Sequence, residues 1–113
     1  MTTLDVTTNE LPDGVHVELS GELDLATATK LEDELKRVEG GFPALIVLDL
    51  RSLAFMDSSG LRALLAADAR ARDAGRRLVL VRGDERVQRV LRITRLDERL
   101  EIVDDVDAAA AGA

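Results

Sequence analysis

The segment Ala44-Leu45-Ile46-Val47-Leu48-Asp49-Leu50 constrains the chain most, because it is a nearly continuous apolar run bounded by turn residues. A strand with one wet face alternates apolar and polar residues, whereas this run predicts a strand covered on both faces and placed at the centre of a sheet. The segments around it read as strands and helices in alternation. Leu4 to Thr8 and Val15 to Leu19 alternate, with Val15, Val17 and Leu19 on one side and His16, Glu18 and Ser20 on the other. Pro12-Asp13-Gly14 between them is turn chemistry, so the pair reads as an antiparallel hairpin at one edge of the sheet.

After Gly21-Glu22-Leu23-Asp24, the residues Ala28, Leu31, Leu35 and Val38 recur at helical spacing, and Gly40-Gly41 ends the helix. A second, alanine-rich helix opens at Ser58 or its neighbour and runs to about Ala74-Gly75, where alanine's propensity outweighs the lack of a clean apolar stripe. Asp68 falls on the face this helix would bury, with Arg72 four residues on able to pair with it. Leu78 to Val81 reads as a strand. Val87, Val90, Leu91 and Thr94 form the stripe of a third helix from near Asp84, and Leu100 to Val103 is a last short strand or turn. The order β-β-α-β-α-β-α-β predicts an α/β fold with a mixed, mostly parallel sheet, an N-terminal hairpin and helices packed on it. Residues 1–113 are expected to form a single domain. The alanine-rich tail, 108–113, reads either as a short last helix or as disorder.

Composition removes whole classes of chemistry. The chain has 113 residues, 46% hydrophobic and 33% charged, which is too apolar for disorder and too charged for a membrane protein. A formal charge of -7 repels phosphate backbones and acidic lipid surfaces, so no direct contact with nucleic acid or membrane is expected. Without cysteine there is no thiolate chemistry, and with one histidine no metal site of several imidazoles can form within one chain. Phe42 and Phe55 are the only aromatic residues, too few to stack a run of bases. Met1 to Asp5 lacks the basic-then-apolar pattern of a secretory signal, and no apolar run approaches the roughly 20 residues that span a bilayer. A cytoplasmic protein with no metal and no cofactor is the expectation.

The informative stretch is Leu48 to Arg62, in which a buried strand feeds a short loop ending in Asp57-Ser58-Ser59-Gly60 at a helix start. In open α/β sheets, ligands and partners gather at the carboxyl ends of strands. A helix start presents unpaired N–H groups and a partial positive charge, which suit a capping serine or, after phosphorylation, the phosphate oxygens. Asp-Ser-Ser before a helix is also ordinary capping chemistry, and pattern alone does not lift Ser58 above it. As a nucleophile elbow the segment lacks a base, since His16 is the only imidazole and alternates with residues facing away from the core, as an exposed surface histidine would.

Two separated motifs resemble one family. Gly21-Glu22-Leu23-Asp24 is similar to the segment after the hairpin in anti-sigma-factor antagonists of the STAS type, and Phe55-Met56-Asp57-Ser58-Ser59-Gly60-Leu61 to their phosphorylation loop. Ile93-Thr94-Arg95-Leu96-Asp97 followed by Leu100 to Asp105 resembles the family's third helix and closing strand, so the likeness covers nearly the whole chain. The resemblance implies a STAS-like fold and a transcription regulator that works by partner switching. Ser58 aligns with the serine that an anti-sigma-factor kinase, a GHKL-type ATPase, phosphorylates and that a separate PP2C-type phosphatase restores. In that scheme the unphosphorylated protein binds the kinase and releases the sigma factor, while the phosphorylated protein does not bind. Asp24, Asp57, Ser58, Ser59, Gly60 and Leu61 would form the partner surface. The second helix departs from the family pattern in carrying Asp68 and several alanines.

Other readings remain open on sequence grounds. Leu45 to Leu50 also reads as a strand delivering a phosphorylatable Asp49, as in a receiver domain, but the acidic Mg²⁺-binding cluster and the late lysine are missing, since Lys30 and Lys36 both lie on the first helix. A stand-alone STAS module that binds a ligand or protein without a phosphoswitch is a further reading. An enzyme ranks last, because no base, metal set or cofactor motif is visible.

Overall fold

A two-residue turn at Pro12-Asp13 folds β1 (Leu4–Leu11) back on β2 (Gly14–Leu23), and the two pair antiparallel from Leu4 opposite Gly21 to Leu11 opposite Gly14. The computed structural model describes residues 3–111. After the hairpin come α1 (Ala28–Glu39), β3 (Leu45–Met56), α2 (Ser58–Ala74), β4 (Arg77–Val81), α3 (Glu85–Ile93), a 3-10 turn at Leu96–Glu98, β5 (Glu101–Val103) and α4 (Val106–Ala111). The strands lie in sequence order, β1-β2-β3-β4-β5, with every pairing after the hairpin parallel. The apolar run is thus the start of the central strand, as its composition demands.

A sheet wound steadily in one direction puts its crossover helices on one face. Leu31 and Leu35 of α1, Ala63 and Leu64 of α2, and Val87 and Leu91 of α3 share one core with Val17, Leu19, Ile46, Leu48 and Leu80. The opposite face is covered over part of its area by α4, whose Ala109 and Val106 pack on Leu45, Val47, Val79 and Val81. Part of the alanine-rich tail, from 108 to 111, is therefore helix, while 112 and 113 lie outside the described residues. Among the described residues no helix is long and apolar enough to cross a membrane.

Three expectations are corrected. β3 does not stop at Leu50 and give way to a loop but continues to Met56, paired to a β2 that itself runs on to Leu23. At each of two register shifts β3 carries one extra residue opposite β2, so the buried positions become Leu50, Leu53 and Met56. That spacing of three, produced by bulges, is invisible to a search for period two. His16 faces away from the helix core but is not a free surface group: only 13% exposed, it meets buried Asp49 at 2.9 Å. Thr94 is exposed past the end of α3 and donates its hydroxyl to the Val90 carbonyl, so it is no part of the apolar stripe. Asp68 is buried, and its pairing with Arg72 is present at 2.9 Å, with Arg99 approaching at 3.6 Å.

Candidate functional site

The strand-to-helix corner is built by Asp57. Its backbone N–H donates to the Leu23 carbonyl at 3.1 Å, which ties the end of β3 to the end of β2. Its carboxylate Oδ1 then accepts from the N–H groups of Ser59 at 2.8 Å and Gly60 at 3.3 Å. Asp57 is therefore the N-cap and Ser58 the first residue of α2. The capping role that the sequence offers to serine falls to the aspartate, and two helix-start donors expected to serve a phosphate are already occupied.

The two serines sit in different surroundings. Ser58 is exposed, and its hydroxyl makes no hydrogen bond among the described residues. Ser59 is half-buried and accepts from Arg62 Nη2 at 3.2 Å. Gly60 is buried, and a Cβ there would lie 2.7 Å from Met56 Cγ and 2.8 Å from Leu23 Cγ. Its contribution is to let the first turn of α2 settle on the ends of β2 and β3, beneath the surface rather than on it. Leu61 is partly buried against the main core. Asp24 follows Leu23 at the neighbouring strand end, and its Oδ1 accepts from Ala26 N–H at 3.0 Å and Thr27 N–H at 3.1 Å. Asp24 thus shapes the approach to α1 with one carboxylate oxygen.

Around this corner lie apolar groups that pattern reading passed over. Leu25 is 76% exposed and Phe55 47% exposed. Phe55 lines an open groove of 470 Å³ with Glu22, Ala54, Met56, Arg86 and Val90. The signal available in sequence was Phe55 itself, one of two aromatics, since aromatic anchors dominate protein interfaces. A larger groove of 610 Å³ lies at the other end of the sheet, between the hairpin turn and Phe42, and shares no residue with the corner.

On the far face of β3, Asp49 is 1% exposed and is held by both Arg51, at 2.7 Å, and His16. Burial acts to raise its pKa, but the Arg51 side chain and backbone N–H, with His16, outweigh burial and hold the carboxyl at about 2. Glu18 lies near His16 and Asp49, with their potential ligand atoms all within 4.8 Å of one another. Arg51 forks onto both Asp49 oxygens, so the cluster is a closed ion pair rather than an open ligand set. The same closure overturns the receiver reading: Asp49 is a sealed mid-strand residue, not a carboxylate open to a phosphoryl donor.

Comparison with known proteins agrees with this geometry. The STAS domain family model matches residues 5–109. The anti-sigma-B factor antagonist of Listeria monocytogenes is 30% identical over 90 residues, 80% of this chain and 79% of that protein. The anti-sigma-F factor antagonist RsfB of Mycobacterium tuberculosis is 30% identical over 96 residues, 85% of this chain and 78% of that protein. A crystal structure of an anti-sigma factor antagonist from Mycobacterium paratuberculosis superposes with a TM-score of 0.85 at 25% identity, covering 97% of this chain and 93% of that one. A hairpin-led, mostly parallel sheet ending in an Asp-Ser-Ser-Gly corner, together with these matches, means that the chain belongs to the STAS-domain family, in the company of anti-sigma-factor antagonists.

Proposed function

We propose that this protein is an anti-sigma-factor antagonist that binds an anti-sigma-factor kinase while Ser58 is free and lets go when Ser58 is phosphorylated. The observation that carries the reading is the exposed hydroxyl of Ser58, which makes no hydrogen bond among the described residues, at a helix start capped by Asp57. In the transfer, Ser58 Oγ attacks the γ-phosphorus of ATP held by the kinase, ADP leaves and the hydroxyl proton is lost. No catalytic group is needed from this chain, which acts as substrate and ligand. Hydrolysis of the phosphoester by a PP2C-type phosphatase restores the binding form.

The partner surface comprises Asp24, Asp57, Ser58, Ser59 and Leu61, set on Gly60 and extended by Leu25 and Phe55. Exposed apolar anchors inside a polar rim fit a protein partner. Phosphate on Ser58 brings roughly -1.5 to -2 charges beside Asp57, and burying that charge against a partner is costly. Incubation with a GHKL-type anti-sigma kinase and ATP, followed by peptide mass spectrometry, tests the assignment. Phosphate on Ser58 alone is expected. Equal or dominant phosphate on Ser59 would overturn it, and no phosphate at all would favour a STAS binding module without a phosphoswitch.

A further inference from the structure

A phosphate on Ser58 needs a counter-charge, and the helix start is poorly placed to supply one. Asp57 already takes the Ser59 and Gly60 N–H groups through one oxygen, and its own negative charge lies beside the site. Arg62 is a cation placed to reach it. It stands four residues after Ser58 on the same helix, the spacing at which two side chains share a face. Helical side chains lean toward the N-terminus, and the 3.2 Å bond from Arg62 Nη2 to Ser59 Oγ shows this guanidinium already lying back over the first turn. Arg62 forms no ion pair among the described residues, whereas Arg86, on the neighbouring groove, is paired with Asp84 at 3.0 Å.

We propose that Arg62 is the phosphate-binding residue of this protein: on phosphorylation it gives up the Ser59 hydroxyl and forks onto the phosphate of Ser58. The inference rests on the assignment of Ser58 as the modified residue. A planar guanidinium presents two parallel donors that match two phosphate oxygens, so a neutral serine hydroxyl is easily displaced by a dianion. The exchange has two effects. Before phosphorylation, the bond to Arg62 keeps Ser59 engaged and leaves Ser58 as the free hydroxyl. After it, Arg62 offsets the repulsion from Asp57, keeps the first turn of α2 intact and shields the phosphoester.

The test uses full-length protein with phosphoserine genetically encoded at position 58, alone and combined with Arg62→Ala, Arg62→Gln or Arg62→Lys. Because no kinase is involved, the result reports on Arg62 whatever the kinase does. Phosphorus-31 NMR follows the second ionisation of the phosphate, which lies near pH 6 when unperturbed. The proposal expects a midpoint lowered by roughly half a unit or more with Arg62, restored by Ala and Gln, and intermediate or unchanged with Lys. It also expects the phosphorylated Ala and Gln variants to melt below phosphorylated wild type, while the unphosphorylated forms melt together. Equal midpoints with and without Arg62 would overturn it.

Discussion

Asp57, Gly60 and Asp24 divide the work at the corner among a cap, a gap and a surface charge. Asp57→Ala should lose the cap and cost about 1 kcal/mol in urea denaturation, while Asp57→Asn should cost only a few tenths. Gly60→Ala should cost about 1 to 3 kcal/mol, since the added methyl meets Met56 and Leu23 closer than carbon atoms approach. Asp24→Asn keeps the oxygen that accepts from Ala26 and Thr27, so its melting temperature should match wild type. A weaker titration of that variant against the kinase is the expected result, and equal affinity would remove Asp24 from the interface. At this scale, likeness to a family's phosphorylation loop, rather than spacing, made Asp57-Ser58-Ser59-Gly60 legible as a candidate site. The division of labour was hidden, because Asp and Ser are near-equal caps and only geometry shows which one is used.

Among the elements, β3 carries both the fold and the site. Its buried Asp49 is stabilised as the anion, at about 2 against an ordinary 3.8, which means the folded state binds its proton less readily than the unfolded chain does. That contribution is present above about pH 4 and is lost as pH falls toward 2, on the order of 2 kcal/mol. Glu34 is likewise held at about 2, chiefly by Arg37 and then by Thr8, and adds to the same window. Asp49→Asn should therefore be less stable at pH 7 and lose less between pH 4 and 2 than wild type, which equilibrium denaturation across that range would measure. An unchanged acid limb would contradict the ion pair. The first half of β3 was legible as an apolar run, but Arg51 to Phe55 reads as a loop because the bulges break the two-residue alternation. α2 was readable from its alanines, and Gly75 closes it in the left-handed conformation at φ 69°. The fate of Asp68 depended on Arg72 and on Arg99, the latter 31 positions away in sequence, and no local pattern reports such a contact.

At the scale of the whole molecule, parallel pairing brings the carboxyl ends of β2 and β3 together, so Asp24 and the Ser58 corner share one end of a sheet backed by three helices. The order of elements made this architecture legible, whereas the cover that α4 gives the far face was hidden in a run of alanines. The proposed switch sits on a capped helix start packed against the main core, so it can act locally. Ser58→Asp should melt within a few degrees of wild type and bind the kinase weakly, and Ser58→Ala should bind it and resist release by ATP. The most direct measurement is a calorimetric titration of the anti-sigma kinase with unmodified protein and with protein carrying phosphoserine at position 58, each with a thermal melt. The account predicts tight binding by the first, at least about a hundredfold loss in the second, equivalent to about 2.7 kcal/mol, and nearly equal melting temperatures. Full affinity in the phosphorylated protein, or a melt many degrees lower, would contradict a local phosphoswitch at Ser58.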